Sequence, residues 1–143
     1  MFLGEYSHTV DNKNRLAIPA KFRGELKTGS VITRGLDNCL FIFTEKDWKS
    51  LVDKISKLPL SQSSARSFSR MMLTGAMEIK LDKLGRILIP EYLKKYAGLS
   101  KKVVIGGVLN RIEVWDQATW NRYKSNSEKN VAQTAESMAE LGI

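Results

Sequence analysis

The chain has 143 residues and is basic, with 23 Lys and Arg against 15 Asp and Glu and a net charge of +8; that balance favours a polyanionic partner, nucleic acid or an anionic membrane surface. Its single cysteine, Cys39, excludes an internal disulfide and fits a reducing compartment. No apolar stretch approaches the ~18 residues of a membrane span, and Met1-Phe-Leu-Gly-Glu5 lacks a basic head followed by an apolar run, so a cytoplasmic protein without a membrane partner is expected.

In chain order, Phe2 to Val10 reads as extended and Leu16 to Ile18 as a short β-compatible stretch, with Asp11–Arg15 turning between them. Pro19 suits the first turn of a short helix over Ala20–Arg23, which Lys27–Ser30 closes. Val31–Thr33 and Cys39–Phe43 read as strands. Their link, Arg34-Gly-Leu-Asp-Asn38, holds the Gly, Asp and Asn of a tight reversal. Cys39 lies in an apolar run, as a core thiol would. Thr44, with Asp47 three residues on, caps a helix whose Trp48, Leu51, Val52 and Ile55 share one face. Leu60 to Leu73, rich in Ser and Arg up to Arg70, is a connector compatible with a helix.

The plan then recurs. Glu78–Leu81 is a strand, Asp82–Arg86 a turn and Ile87–Ile89 the return. Pro90–Ala97 is a short helix stopped by Gly98. Lys102–Ile105 and Arg111–Trp115 are strands, and Ile105-Gly-Gly-Val108 has the composition of a hairpin turn. Asp116 caps a last helix through Tyr123. Beyond Ser125 the chain is polar, with three glutamates against one lysine, and either continues as a weak helix or frays.

Asp11-Asn-Lys-Asn-Arg15 followed by Leu16-Ala-Ile-Pro19 returns 71 residues later as Asp82-Lys-Leu-Gly-Arg86 followed by Ile87-Leu-Ile-Pro90. Val31–Phe43 answers Val103–Trp115, and Trp48 answers Trp120. Such an offset means two copies of one supersecondary unit. A unit of roughly 45 residues buries too little apolar surface to stand alone, so the copies are expected to share one core. The expected organisation is a first repeat over 5–47, a connecting helical segment over 48–75, a second repeat over 76–119 and a C-terminal helix and tail over 120–143. The expected class is α+β, rich in β.

The turns carry the functional signal. Asn14 in the first faces Gly85 in the second, and these residue types most readily take positive φ, as a three-residue hairpin loop requires near its end. Asp11 and Asp82 can accept hydrogen bonds from turn backbone N–H groups, so Asp11, Asp82 and Gly85 are read as turn stabilisers. Two readings of the arginines stay open. In one, Asp and Arg only staple the turn, which for an exposed pair is worth about 0–1 kcal/mol. In the other, the Asp orients a guanidinium that reaches outward. Arginine suits bidentate contact with guanine edges or phosphate, and a two-stranded ribbon fits the DNA major groove. The first turn offers Asn12, Lys13, Asn14 and Arg15. The second has apolar Leu84 at its tip but keeps Lys83 and Arg86. The candidate DNA contacts are therefore Lys13, Asn14, Arg15, Lys83 and Arg86.

Little points to enzyme chemistry. His8 is the only histidine and has no Cys or His cluster with metal spacing around it. No Gly-rich loop runs from a strand into a helix in the phosphate-binding pattern. No catalytic residue, metal, cofactor or small-molecule substrate is expected. Trp48, Trp115 and Trp120 read as core or interface anchors. Lys94-Lys95 and Lys101-Lys102 form either a solvated basic face or added phosphate contacts.

Gly4-Glu-Tyr-Ser-His-Thr-Val-Asp11, Lys13, Arg15 and Ile18-Pro-Ala-Lys-Phe-Arg23 resemble the start of MraZ-family proteins. Thr33-Arg-Gly-Leu-Asp37, Cys39-Leu40, Ala65-Arg66, Leu81-Asp82, Gly85-Arg86 and Asn110-Arg-Ile-Glu113 with Trp115 extend the likeness to about residue 123. The resemblance implies two SpoVT/AbrB-like swapped-hairpin halves forming one pseudo-twofold β-barrel core with short helices packed outside. It implies a nucleoid-associated bacterial transcription regulator. Such a protein assembles into a ring-shaped homo-oligomer, binds tandem G-rich repeats on double-stranded DNA upstream of the division and cell-wall gene cluster, and typically represses it. The family's two Asp-x-x-x-Arg motifs fall on Asp11/Arg15 and Asp82/Arg86, and its DNA-facing residues on Lys13, Asn14 and Arg15. Asn14 stands where the family usually has glycine, and Leu84 where it usually has a polar residue. The competing readings are an RNA-binding or ribosome-associated basic protein and a toxin-neutralising AbrB-type regulator; the latter usually has one copy of the unit and an acidic or disordered tail.

Overall fold

A computed structural model describes all residues, 1–143. The strands are β1 (Phe2–Thr9), β2 (Arg15–Ala17), β3 (Ser30–Arg34), β4 (Leu40–Thr44), β5 (Met77–Ile79), β6 (Arg86–Leu88), β7 (Lys102–Leu109) and β8 (Ile112–Asp116). The helices are α1 (Ala20–Leu26), α2 (Glu45–Ser56), α3 (Ser63–Gly75), α4 (Glu91–Tyr96), α5 (Gln117–Lys129) and α6 (Val131–Ser137), and a short 3-10 turn spans Ala139–Leu141.

Six strands form one antiparallel sheet in the order β1-β7-β8-β4-β3-β5. Exchanging the first half for the second maps this order onto itself: β1 trades places with β5, β7 with β3 and β8 with β4. The two remaining strands, β2 and β6, pair with each other as a separate ribbon, Leu16 opposite Ile87 at its centre. Each half lends strands to the other, since β1 pairs with β7, β5 with β3 and β2 with β6. The expected closed barrel is not what forms. The sheet is open, with β1 and β5 as its two edges, because β5 has only three residues and β2 and β6 satisfy one another instead of bridging those edges.

Strand alternation divides the interior into two cores. On β4, Leu40 and Ile42 face the larger one, with Leu16, Ile18, Ile87, Ile89, Phe22 and Leu93 from the ribbon and from α1 and α4. Phe41 and Phe43 face the opposite way, onto Cys39, Ile55, Met72 and Trp115 under α2, α3 and α5. Cys39 is a core thiol: it is fully buried, its Sγ donates to the Leu36 carbonyl at 3.1 Å, and burial pushes its pKa up. The Thr44 hydroxyl accepts from the Asp47 amide at 3.1 Å, capping α2, and Asp116 caps α5 through Thr119.

The fold settles two segments that the sequence left open and corrects a third. The connector is the full helix α3, held by its Met72 carbonyl accepting from the Thr33 hydroxyl at 2.6 Å. Ile105–Val108 is no turn: β7 runs straight through it to Leu109, and the reversal comes at Leu109-Asn110, with Leu109 at φ 61°. Gly107 is small because β1 crosses there so closely that a β-carbon would press into the backbone of Phe2 and Leu3. The C-terminal segment is helical well past Tyr123, through α5 and α6. No helix is long and apolar enough to cross a membrane.

Candidate nucleic-acid interface

The two Asp-x-x-x-Arg turns are the same object built twice. In the first, the Asp11 carboxylate Oδ1 accepts from the backbone N–H groups of Lys13 and Arg15, both at 2.9 Å, and Oδ2 accepts from Arg15 Nε at 2.7 Å. In the second, Asp82 Oδ1 accepts from Leu84 and Arg86, both at 2.9 Å, and Oδ2 from Arg86 Nε at 2.8 Å. Asn14 and Gly85, at φ 60° and 74°, supply the left-handed residue each loop needs. The Arg15 backbone N–H is the main reason that the Asp11 carboxyl titrates at about 2, and the Arg86 N–H lowers Asp82 in the same way.

Each ion pair uses only Nε of the guanidinium. The outer nitrogens, Nη1 and Nη2, have no partner within the chain. That is the edge an arginine offers to two adjacent acceptors on guanine or phosphate. The pair therefore orients the group without consuming it.

The ribbon sets the direction in which both arginines face. Leu16 and Ile87 are buried on its inner side. Alternation puts Arg15, Ala17, Arg86 and Leu88 on its outer side, Arg15 opposite Leu88 and Ala17 opposite Arg86. Burying a residue such as Leu16 or Ile87 is worth about 1.5–3 kcal/mol, whereas an exposed ion pair contributes about 0–1 kcal/mol. The ribbon is anchored by its apolar side, and the stability of the fold does not demand arginine on the other.

Of the candidate contacts, Lys13 and Lys83 are exposed, and Arg15 and Arg86 are partly exposed on the shared outer face. Asn14 is placed differently. Its amide nitrogen donates to Glu91 Oε2 at 2.7 Å, and its oxygen accepts from Lys94 Nζ at 3.0 Å, so the side chain is bracketed by α4 of the other half. The reverse contact exists at the second turn, where Arg23 of α1 lies across Gly85 and donates from Nε to the Ile18 carbonyl at 2.8 Å. Sequence reasoning missed both brackets. A signal was available: Arg23 and Lys94 are separated by the same 71 residues as the two turns.

The surroundings differ. The Val10 N–H donates to the Lys101 carbonyl at 2.8 Å, and Lys94 and Lys101 line a depression beside Asp11 and Asn12. The first turn is thus ringed by Lys13, Lys94 and Lys101. The second tip presents Leu84, 66% exposed, beside Lys83. No group of three or more His, Cys, Asp or Glu side chains is placed to hold a metal ion.

A family model described as "MraZ protein, putative antitoxin-like" matches the chain twice, over residues 1–71 and 72–141. This chain belongs to the MraZ family. It is similar over its whole length, and over the whole of theirs, to proteins named Transcriptional regulator MraZ: 49% identical to that of Clostridium tetani, and 48% to those of Natranaerobius thermophilus and Caldicellulosiruptor saccharolyticus. The MraZ family is thus one of transcriptional regulators, and in this member the twice-matched unit coincides with the twice-built turn.

Proposed function

We propose that this chain is a transcriptional regulator that reads double-stranded DNA with the Asp11–Arg15 turn. One observation carries the reading: Asp11 holds Arg15 by Nε alone, on the outer face of a ribbon of major-groove dimensions, with both Nη groups unspent. Arg15 contacts guanine edges. Lys13 contacts phosphate, with Lys94 and Lys101 beside it. Asn14 contributes the left-handed backbone and holds the tip against α4. Arg86 and Lys83 form a second, weaker contact. Copies of the chain form a ring of swapped-hairpin subunits, and several turns on one assembly engage tandem G-rich repeats with raised effective concentration for each later contact. The outcome is repression of a division and cell-wall gene cluster by a nucleoid-associated protein.

The test compares affinity for a duplex carrying tandem G-rich repeats, a scrambled duplex and a structured RNA of equal charge over a salt series. The expected result is a sequence-dependent affinity for the repeats that persists once the salt-dependent part is subtracted. Equal binding to all three at every salt concentration overturns the reading in favour of a general polyanion binder.

A further inference from the structure

A third arginine is held as those of the turns are, but beside a concavity instead of on an open face. Arg111, just before β8, donates from Nε to Glu113 Oε2 at 3.0 Å, and Trp115 Nε1 holds Glu113 in turn by donating to Oε1 at 3.0 Å. The guanidinium carbon lies over the Phe41 ring, 4.8 Å from its centroid. Nη1 and Nη2 have no partner within the chain. The group is fixed from two sides with its outer edge open, the edge that pairs with both oxygens of a carboxylate.

Arg111 lines a cavity of about 300 Å³, the size of a small-molecule site. Phe41, Phe43 and Met72 are its buried floor, and Leu36 and Phe68 stand on its rim, 56% and 38% exposed. Lys54 of α2 also lines it and enters none of the chain's ion pairs. The one acidic residue of the lining, Asp47, accepts from the Thr44 hydroxyl at 3.1 Å. Two unspent cationic ends above an apolar floor complement an anion carried on an apolar body. A space this small admits no duplex.

We infer that the cavity binds a small amphipathic carboxylate, its acid group on Arg111 and Lys54 and its apolar body on Phe41, Phe43 and Met72, and that binding there loosens the first turn. Two walls of the cavity are tied to α4. The carbonyl of Gly35, next to Leu36, accepts from the Tyr96 hydroxyl at 2.7 Å, and that of Gly75, at the end of α3, accepts from the Tyr92 hydroxyl at 2.8 Å. The same helix holds Asn14 through Glu91 and Lys94. A ligand that spreads Leu36 from α3 draws α4 away from the tip. The binding site stands without the proposed function; the effect on the turn rests on it.

Calorimetric titration of the full chain with octanoate, acetate and octanol tests the site without DNA. Saturable octanoate binding is expected, about tenfold or more tighter than acetate or octanol. Lys54→Glu and Phe68→Ser, each with an unchanged thermal melt, should lose it, and Leu60→Ser, in the neighbouring groove between α2 and α3, should keep it. No saturable binding, equal binding of the three probes, or binding that survives both cavity variants overturns the site. Saturating octanoate should then weaken binding to the tandem-repeat duplex about fivefold or more, and Tyr92→Phe/Tyr96→Phe should bind octanoate normally while its DNA affinity ignores it. Octanoate binding with unchanged DNA affinity overturns the link to the turn and leaves the site standing. Protein that binds no duplex at all overturns the proposed function and the link together, while the titration still decides the site.

Discussion

Arg23 lies across Gly85, filling the space that a β-carbon would need, and Lys94 meets Asn14 at the matching place in the other turn. Each turn is thus braced from behind by a basic side chain of the opposite half. Gly85→Ala meets two obstacles, φ at 74° and the Arg23 side chain. The backbone alone costs about 1–2 kcal/mol, and chemical denaturation should show at least that loss. Adding Arg23→Ala should recover the part due to crowding and leave the backbone part. A neutral G85A would mean that the turn rearranges freely.

Arg15→Ala should weaken binding to the cognate repeats by about 1–3 kcal/mol with an unchanged melting temperature. Arg15→Lys should not restore it, because an ammonium cannot hold Asp11 through one nitrogen and present two others in a plane. Competition binding between cognate and scrambled duplexes checks this, and unaltered discrimination in either variant counts against base reading by Arg15.

Lys13→Ala should lower affinity for all duplexes alike and reduce the slope of log affinity against log salt by about 1. A loss restricted to the cognate sequence would give Lys13 a base contact in place of a phosphate contact.

The turns should respond to acid in one direction. The Asp11 carboxyl titrates at about 2 in the folded chain, below the ordinary 3.8. A carboxyl lowered on folding adds stability that is complete above its unfolded pKa and disappears as pH falls through its folded one. The chemical shifts of Asp11 and of the Arg15 amide should hold from neutral pH to about 4 and move together toward pH 2. Asp82, lowered by the same kind of bond, should shift in the same direction. Titration of Asp11 at or above 3.8 would show that its hydrogen bonds to the turn are not formed in solution.

The first 71 residues expressed alone should show no cooperative unfolding, since β1, β2 and the outer edge of β3 lose the strands they pair with. Mixing them with residues 72–143 should restore a cooperative transition. A stable monomer of either half would contradict the shared core.

Local chemistry was readable in the residues, and pairing between distant segments was not. The strand at Cys39–Phe43, the Thr44 cap with Asp47, the helical face of Trp48, Leu51, Val52 and Ile55, and the left-handed Asn14 and Gly85 all follow from neighbours a few positions apart. The open sheet depends on which strand meets which across some 70 residues, and period-two patterning is silent on that. Gly106-Gly107 was misread for the same reason: glycine suits a turn, and equally suits a strand that another backbone crosses closely. At the site, residue types and spacing located the arginines, whereas the commitment of Asn14 to Glu91 and Lys94 needed the fold.

The strand order reads the same from either end, yet the loop tips at its axis differ, Asn12-Lys13 on one side and Lys83-Leu84 on the other. Two identical subunits related by a true dyad must meet a duplex the same way round in either orientation, which is why such dimers match palindromes. Here both halves are covalently one molecule, and each tip is free to differ. A chain built so has a front and a back, and if it reads DNA as proposed, the matching target is a series of sites all pointing one way.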